Sequence, residues 1–197
     1  MSVSIRSTWQ REFTEMCAFP VVYNEEVRLN AVLGSCFSQT IDDPRLDRLT
    51  RLAAYITSCP LAIITTVTTV IGLNSVHGVL KESLPRQFPR EPSPCNYTIL
   101  EQDLFIVEDM ALDPRFSNKL FVTGFPHLRF YAGVPIANAT GHRLGSLCVM
   151  DHVARQLENA QLLALRDIGA TVSELMKAIE VEPASLEDLE KPPHAKA

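Results

Sequence analysis

The sequence lacks most of the patterns by which membrane proteins and nucleic-acid-binding proteins are recognised. No apolar run reaches the roughly 18 residues that a membrane-spanning helix needs, and the first 13 residues contain no signal-peptide apolar stretch. Lysine and arginine are not clustered and the formal net charge is −5, which argues against a nucleic-acid surface. We therefore expect a cytoplasmic protein that binds neither nucleic acid nor a membrane.

Motifs for catalysis and metal binding are also missing. The sequence has no GxSxG, no P-loop and no HxxxH, and its histidines are dispersed. The five cysteines are scattered without a CxxC or a paired Cys/His spacing, which argues against zinc. We predict no catalytic residues, no metal site and reduced thiols, and the sequence leaves any cofactor unknown.

The length and composition that are present fit one globular domain with tails. A chain of 197 residues with 46% hydrophobic residues can build a substantial core. Residues 1–24 show little periodicity and are interpreted as an N-terminal extension. The domain is assigned to residues 25–180, and we expect the acidic tail at residues 181–197 to be disordered.

Local patterns predict several helices, and most of their starts carry a capping side chain. A first helix over residues 25–34 would turn Val27, Leu29 and Val32 inward. Three further starts share a capping residue that is followed directly by proline: Asp43, Ser93 and Asp113. The intervening residues 78–94 contain four prolines and are predicted to be largely loop.

Apolar segments of strand character predict a sheet. Residues 61–67 and 70–76 form a first hairpin, residues 104–107 a short strand, and residues 128–137 and 144–150 a second hairpin. Adjacent hairpins, rather than regular βαβ alternation, favour an α+β fold with an antiparallel sheet and helices packed on it.

The last predicted helix, residues 159–179, carries an apolar heptad seam. The seam consists of Leu162, Leu165, Gly169, Val172, Met176 and Ile179. Packing on the sheet is the default for such a helix face. The alternative hypothesis is an intermolecular seam at Val172 and Met176, which would make the protein a homodimer.

Several motifs, taken in order along the chain, resemble the GAF domain family. Residues 129–136 (RFYAGVPI) and 144–151 (LGSLCVMD) are similar to two of its strands. Residues 113–116 (DPRF) and 121–124 (FVTG) are similar to the elements before those strands, and residues 46–54 (LDRLTRLAA) to the first helix.

The resemblance implies a six-stranded antiparallel sheet with N- and C-terminal helices on one face and a ligand-type pocket on the other. It also implies a non-catalytic sensory or regulatory module that binds a small molecule or senses redox state and signals to a separate protein. Dimerisation through the terminal helices is common in the family. Two alternatives stay open: a ligand-free dimerisation scaffold, and a thiol enzyme of the free methionine sulfoxide reductase type.

Two cysteines are the most reactive candidate ligand contacts. Cys95 follows the Ser93 cap in the first turn of a helix, where backbone N–H groups and the helix dipole favour thiolate. Redox sensing or covalent ligand attachment is one interpretation, and a small buried apolar residue is the other. Cys148 shares a strand face with Ser146 and Met150, which is either a pocket wall or the helix-facing core.

Five further residues complete the candidate ligand contacts: Tyr97, Thr98, Phe116, Arg129 and Tyr131. The tyrosine hydroxyls could hydrogen-bond a ligand or the backbone. The guanidinium of Arg129 could meet an anionic ligand or pair with Asp109 or Asp113. Bacterial relatives of this subtype usually carry Cys-Ala-His-Thr where this chain has the sequence Cys-Asn-Tyr-Thr at residues 95–98.

Overall fold

The described part of the chain, residues 20–78 and 81–181 of a computed structural model, is an α+β domain built on one antiparallel sheet. Its strands are β1 (Leu61–Val67), β2 (Val70–His77), β3 (Gln87–Pro89), β4 (Phe105–Val107), β5 (Phe130–Ala137) and β6 (Arg143–Asp151). The strand order is β3-β2-β1-β6-β5-β4, so one strand of each long hairpin lies at the centre. The predicted fold class is confirmed.

The helices of the described residues divide between the two faces of the sheet. They are α1 (Glu25–Leu33), α2 (Pro44–Thr57), α3 (Pro94–Thr98), α4 (Leu120–Thr123) and α5 (Asn159–Val181), with a 3-10 turn at Cys36–Gln39. The long helices α2 and α5 pack with α1 on one face, which is called the helix face below. The short helices α3 and α4 lie on the opposite face.

Two of the predicted caps hold their helices. At the start of α2, the Asp43 carboxylate accepts a hydrogen bond from the Arg45 backbone N–H at 2.7 Å. At the start of α3, the Ser93 hydroxyl accepts one from the Cys95 backbone N–H at 3.2 Å. Both helices begin with the proline that follows the cap, as predicted.

The short helix predicted at Asp113 is wrong. The Asp113 carboxylate does accept from the Arg115 backbone N–H at 2.9 Å, and the Ser117 N–H reaches the Asp113 carbonyl at 2.8 Å. That bonding does not continue beyond one turn, so the segment forms consecutive turns and leads into α4. A capping side chain can hold a turn as well as a helix.

The predicted inward face of α1 is partly wrong. Val27 is 51% exposed, whereas Arg28 and Val32 are buried. Arg28 can be buried because its Nη1 donates to the carbonyls of Val67, at 2.8 Å, and Arg143, at 3.0 Å, where β1 ends and β6 begins.

The segment predicted as loop over residues 78–94 contains a short edge strand. Within β3, Phe88 pairs with Ile71 of β2, and Pro89 pairs with Val70. Proline has no backbone N–H, so it is tolerated at the sheet edge, where one side of the strand needs no partner.

The apolar seam of α5 packs on the sheet of its own chain. Val172 and Met176 have no exposed surface within the single chain, so the hypothesis that they form an intermolecular seam is wrong. Gly169 lets the helix approach β5, because a Cβ at this position would come within 2.4 Å of Val134 Cγ1.

Parts of two predicted regions lie outside the described residues. Of the extension at 1–24 the structure describes residues 20–24, and of the tail at 181–197 it describes Val181 alone. Within the ranges that are described, no helix combines the length and the apolar character needed to cross a membrane.

Candidate functional site

The face of the sheet opposite the long helices holds an apolar cavity of about 160 Å³. Strands β1, β2, β5 and β6 contribute to it from the sheet, and residues 84–95 and 121–128 from the segments packed on that face. The apolar lining consists of Leu61, Ile63, Ile71, Leu73, Leu84, Phe88, Pro89, Pro92, Pro94, Phe121, Pro126, Leu128 and Met150. We call this side of the sheet the cavity face.

The polar side chains in the cavity wall are three hydroxyls and two thiols: Thr65, Ser93, Tyr131, Cys95 and Cys148. No charged side chain of the described residues lines the cavity. The site therefore offers weak hydrogen-bond donors and a potential thiolate to a ligand that is otherwise surrounded by hydrocarbon.

The two cysteines meet, although they are distant in sequence. Cys95 in α3 and Cys148 on β6 both line the cavity, and each thiol shifts the pKa of the other. Both are free thiols, 6% and 0% exposed. Alternation along β6 puts Cys148 on the face of Ser146 and Met150, as expected, and that face is the wall of the cavity rather than the helix-facing core.

The two thiols differ in acidity. The hydrogen bond with Cys148 is the largest influence on Cys95, and those with Ser146, Ser93 and Tyr131 add to it. Together they outweigh burial and lower the pKa of Cys95 to about 6. The same contact, together with burial, raises the pKa of Cys148 well above its usual range. Near neutral pH the pair therefore favours one thiolate, carried by Cys95.

A tyrosine and a threonine support the Cys95 sulfur. The Tyr131 hydroxyl donates to Cys95 Sγ at 3.6 Å and lies 2.6 Å from Thr98 Oγ1. Burial raises the pKa of Tyr131 well above its usual range, so the hydroxyl keeps its proton. Gly133 makes room for this pair, because a Cβ there would come within 2.4 Å of the tyrosine oxygen and 2.8 Å of the threonine oxygen.

Two of the candidate ligand contacts, Tyr97 and Phe116, lie in an aromatic cluster on the cavity face rather than in the cavity wall. Tyr97 stacks on Phe105 with ring centroids 5.7 Å apart, and Phe116 meets Tyr97 edge-on at 5.2 Å. The Arg115 guanidinium lies over the Phe105 ring at 5.0 Å. These contacts indicate a packing role for both candidates.

Arg129 also lies outside the cavity lining. Its Nε donates to Asp109 Oδ1 at 2.6 Å, and this hydrogen bond holds the pKa of Asp109 below its ordinary value. Of the two interpretations of Arg129, the ion pair with Asp109 describes the contacts that it makes.

Sequence reasoning missed the side chains that enclose the cavity. Leu84 and Phe88 belong to the proline-rich segment that was predicted to be largely loop, Phe121 lies in α4, and Leu128 precedes β5. The available signal was weak: isolated large apolar residues between prolines, without the periodicity that marks a helix or a strand.

A buried ion network, also missed, ties the N-terminal helix to the segment that borders the cavity. The Glu25 carboxylate pairs with Arg28 at 2.7 Å and with Arg90. Arg90 also donates to Asn96 Oδ1 at 2.7 Å and to the Thr68 carbonyl at 3.0 Å. The two arginines are 1% and 4% exposed, so α1, the β1–β2 turn and α3 are joined away from solvent.

Comparison with known proteins shows to which family this architecture belongs. The sequence model of the GAF domain matches residues 43–175. The chain belongs to the GAF domain family. A stretch of 70 residues, 36% of the chain, is 53% identical to part of a cyclic di-GMP phosphodiesterase of Pseudomonas aeruginosa. That match spans 12% of the phosphodiesterase.

Solved structures share the GAF fold at low sequence identity. The GAF domain of an Acinetobacter phosphoenolpyruvate-protein phosphotransferase has a TM-score of 0.57 at 14% identity, covering 78% of this chain and 93% of that one. A free methionine-R-sulfoxide reductase of Neisseria meningitidis has a TM-score of 0.56 at 14% identity, and the match covers 90% of this chain and 94% of that one. The chromophore-binding domain of a Stigmatella aurantiaca phytochrome has a TM-score of 0.54 at 14% identity, and the match covers 77% of this chain and 59% of that one.

Proposed function

We propose that this GAF domain is a non-catalytic sensory module whose cavity binds a small apolar molecule and whose state is relayed to a separate signalling protein. The observation that carries the proposal is the apolar cavity with two thiols and a tyrosine hydroxyl in its wall. A concave apolar site with a few converging polar groups is the usual form of a small-molecule site.

The size of the cavity defines the class of ligand. Sites for drug-sized ligands measure roughly 300–1,000 Å³. An engineered apolar cavity of about 150 Å³ binds benzene. At about 160 Å³, the cavity of this domain matches the second kind. The proposed ligand is therefore a small hydrocarbon-like molecule rather than a nucleotide or a tetrapyrrole.

The cavity wall argues against the alternative of a methionine sulfoxide reductase. Free methionine sulfoxide carries an ammonium and a carboxylate, and burying such charges without charged or strongly hydrogen-bonding partners is costly. The described residues place no charged side chain in the wall. This supports a sensory role over turnover of a zwitterionic amino acid.

The contacts around α3 suggest how the state of the cavity is relayed. Cys95 lines the cavity, and the next residue, Asn96, accepts from Arg90 and donates to the Pro20 carbonyl at 2.8 Å. Arg90 in turn pairs with Glu25 of α1. A displacement of α3 would thus reach the N-terminal end of the domain, where we place the contact with the partner protein.

Homodimerisation and a cytoplasmic location belong to the same proposal. Because the seam of α5 is internal, a dimer would use outer helix surfaces, where Leu52 and Leu163 are 44% and 58% exposed. Light scattering at micromolar concentration is expected to give a dimeric mass, and a monomeric mass would count against this part of the proposal.

Thermal unfolding with benzene as the probe tests ligand binding directly. Saturation at one hundred times the dissociation constant should stabilise the domain by roughly 2.7 kcal/mol. Leu73→Phe, which fills the cavity, should abolish the shift, and the matched surface change Leu112→Phe, at a residue that is 81% exposed, should retain it. If benzene and indole leave the wild-type transition unchanged, the ligand-free scaffold becomes the better description.

A further inference from the structure

We infer that Cys95 and Cys148 form a redox-active dithiol that becomes a disulfide when a small alkyl hydroperoxide enters the cavity. The inference rests on the proposed function, because it assigns a chemical class to the molecule that the cavity receives. It goes beyond reversible binding, since the signal would be stored in a covalent bond between α3 and β6.

The placement of the two sulfurs supports disulfide formation. The Tyr131 hydroxyl, 3.6 Å from Cys95 Sγ, lies over Gly133 of β5, and Gly133 pairs with Cys148 of β6, so the two cysteines lie close together in the cavity wall. A disulfide bond requires the sulfur atoms to approach to about 2.05 Å. Because Cys95 lies in a five-residue helix rather than in the sheet, α3 can supply the adjustment while β6 stays paired with β1 and β5.

The surroundings of the pair distinguish a nucleophile from a resolving thiol. Cys95 receives the Tyr131 hydroxyl hydrogen bond and follows the N-cap of α3, so its thiolate is the favoured form. Cys148 keeps its proton, and its S–H donates to the Ile63 carbonyl at 3.5 Å. Cys59 provides the contrast, because burial raises the pKa of that thiol.

The reaction balances with the hydroperoxide as oxidant. The Cys95 thiolate attacks the terminal oxygen of R–O–O–H, the O–O bond breaks, and the alkoxide takes the Cys148 proton and leaves as an alcohol. The Cys148 thiolate then attacks the sulfur of the Cys95 sulfenic acid. The S–O bond breaks, the S–S bond forms, and hydroxide takes a proton from solvent and leaves as water. The dithiol loses two electrons, and the peroxide gains them.

The cavity wall selects the oxidant. An alkyl group of four or five carbons can occupy the hydrocarbon-lined space beside the sulfurs, whereas hydrogen peroxide makes no use of it. A single methylene in an apolar pocket changes specificity by roughly tenfold or more. Charged oxidants would find no charged partner among the described wall residues.

Oxidation of the full chain by tert-butyl hydroperoxide, followed by mass spectrometry, tests the inference. We expect the loss of two hydrogen atoms and a linked peptide joining Cys95 to Cys148. For each peroxide, the oxidation rate of the protein is divided by the oxidation rate of free cysteine. This ratio should be at least about tenfold higher for tert-butyl hydroperoxide than for hydrogen peroxide. Cys148→Ser should accumulate a sulfenic acid on Cys95, and Cys95→Ser should leave Cys148 reduced. Cys59→Ser is the matched control and should behave as wild type.

Three results would overturn the inference: no linked peptide, a link between other cysteines, or no preference for the alkyl peroxide. The wild-type measurement decides this even if a variant does not fold. Benzene binding to Cys95→Ser/Cys148→Ser separates the two proposals. If the wild type binds benzene but forms no disulfide, the redox inference alone is rejected. If neither the wild type nor the double variant binds benzene, the proposed function is rejected.

Discussion

The two faces of the sheet are built from alternate residues of the same strands, yet one is filled and the other is not. On the helix face, Ile64 of β1 and Phe130 of β5 have no exposed surface beneath the long helices. Their neighbours Ile63 and Tyr131 point to the cavity face, where short helices and a proline-rich segment leave an open volume.

Under the proposed function, this difference assigns stability to one face of the sheet and ligand binding to the other. The helix face is covered by continuous helices whose apolar stripes match the pleat of the sheet, as Gly169 against Val134 illustrates. The cavity face is covered by segments with little regular structure, and these segments leave an unfilled volume between themselves and the sheet. The predictions below test this division, from the largest expected effect to the smallest.

The ion network that joins the two faces at the ends of the central strands β1 and β6 should be the most sensitive point. Glu25→Ala would leave Arg28 and Arg90 buried without their shared carboxylate, at a cost of about 3–5 kcal/mol in the free energy of unfolding. The exposed Glu26→Ala is the matched control and should change it by less than about 0.5 kcal/mol. Urea unfolding measures both, and equal effects would mean that the network does not join the faces.

The same network predicts how stability depends on pH. Burial disfavours the Glu25 carboxylate, but hydrogen bonds from Arg28 and Arg90 outweigh it, so its pKa lies below the ordinary value of 4.5. A carboxyl whose pKa is depressed by folding stabilises the folded state above its unfolded pKa, and this contribution is lost as pH falls through the folded value. The free energy of unfolding should therefore fall in acid below about 4.5. Glu25→Gln should show less of that decline.

Adjacent isoleucines of β1 compare the two faces with the same substitution. Ile64→Ala should cost about 2–5 kcal/mol, because it opens a void in the packed helix face. Ile63→Ala should lie near or below the lower end of that range, because Ile63 already borders the cavity and has fewer packing partners to lose. Denaturant midpoints at constant m-value provide the comparison. An equal or larger loss for Ile63→Ala would contradict the division of the faces.

A smaller effect is expected where α5 approaches β5. Gly169→Ala should destabilise the domain by about 1–3 kcal/mol, because the added methyl collides with Val134. Adding Val134→Ala should recover part of that loss, and thermal unfolding of the single and double variants measures the coupling. Additive effects in the double variant would show that the contact is not the cause.

Features that depend on neighbouring residues could be predicted from the sequence. The caps at Asp43 and Ser93 are set within two residues, and alternation placed Cys148 on the face of Met150. The six-stranded antiparallel sheet followed from the resemblance to the GAF domain family. These are the parts of the fold in which the local chain and the tertiary structure favour the same conformation.

Features that depend on distant partners could not be predicted. Val27 was predicted to point inward with Leu29 and Val32, because the sequence does not reveal the distant carbonyls of Val67 and Arg143 that accept hydrogen bonds from the buried Arg28. The meeting of the two thiols likewise depends on how α3 lies across β6. The strand β3 was not predicted, because a three-residue edge strand that ends in proline shows no periodicity in the sequence.

The pH dependence of alkylation at Cys95 tests the central claim most directly, namely that the cavity face holds a reactive thiol pair. Timed labelling with iodoacetamide, followed by peptide mapping, should give a rate for Cys95 that is half-maximal near pH 6, because that is its pKa in the pair. At neutral pH, Cys95 should also react faster than Cys36, Cys59 and Cys148. A midpoint near 9, the ordinary thiol value, or faster labelling of Cys59 would contradict the claim.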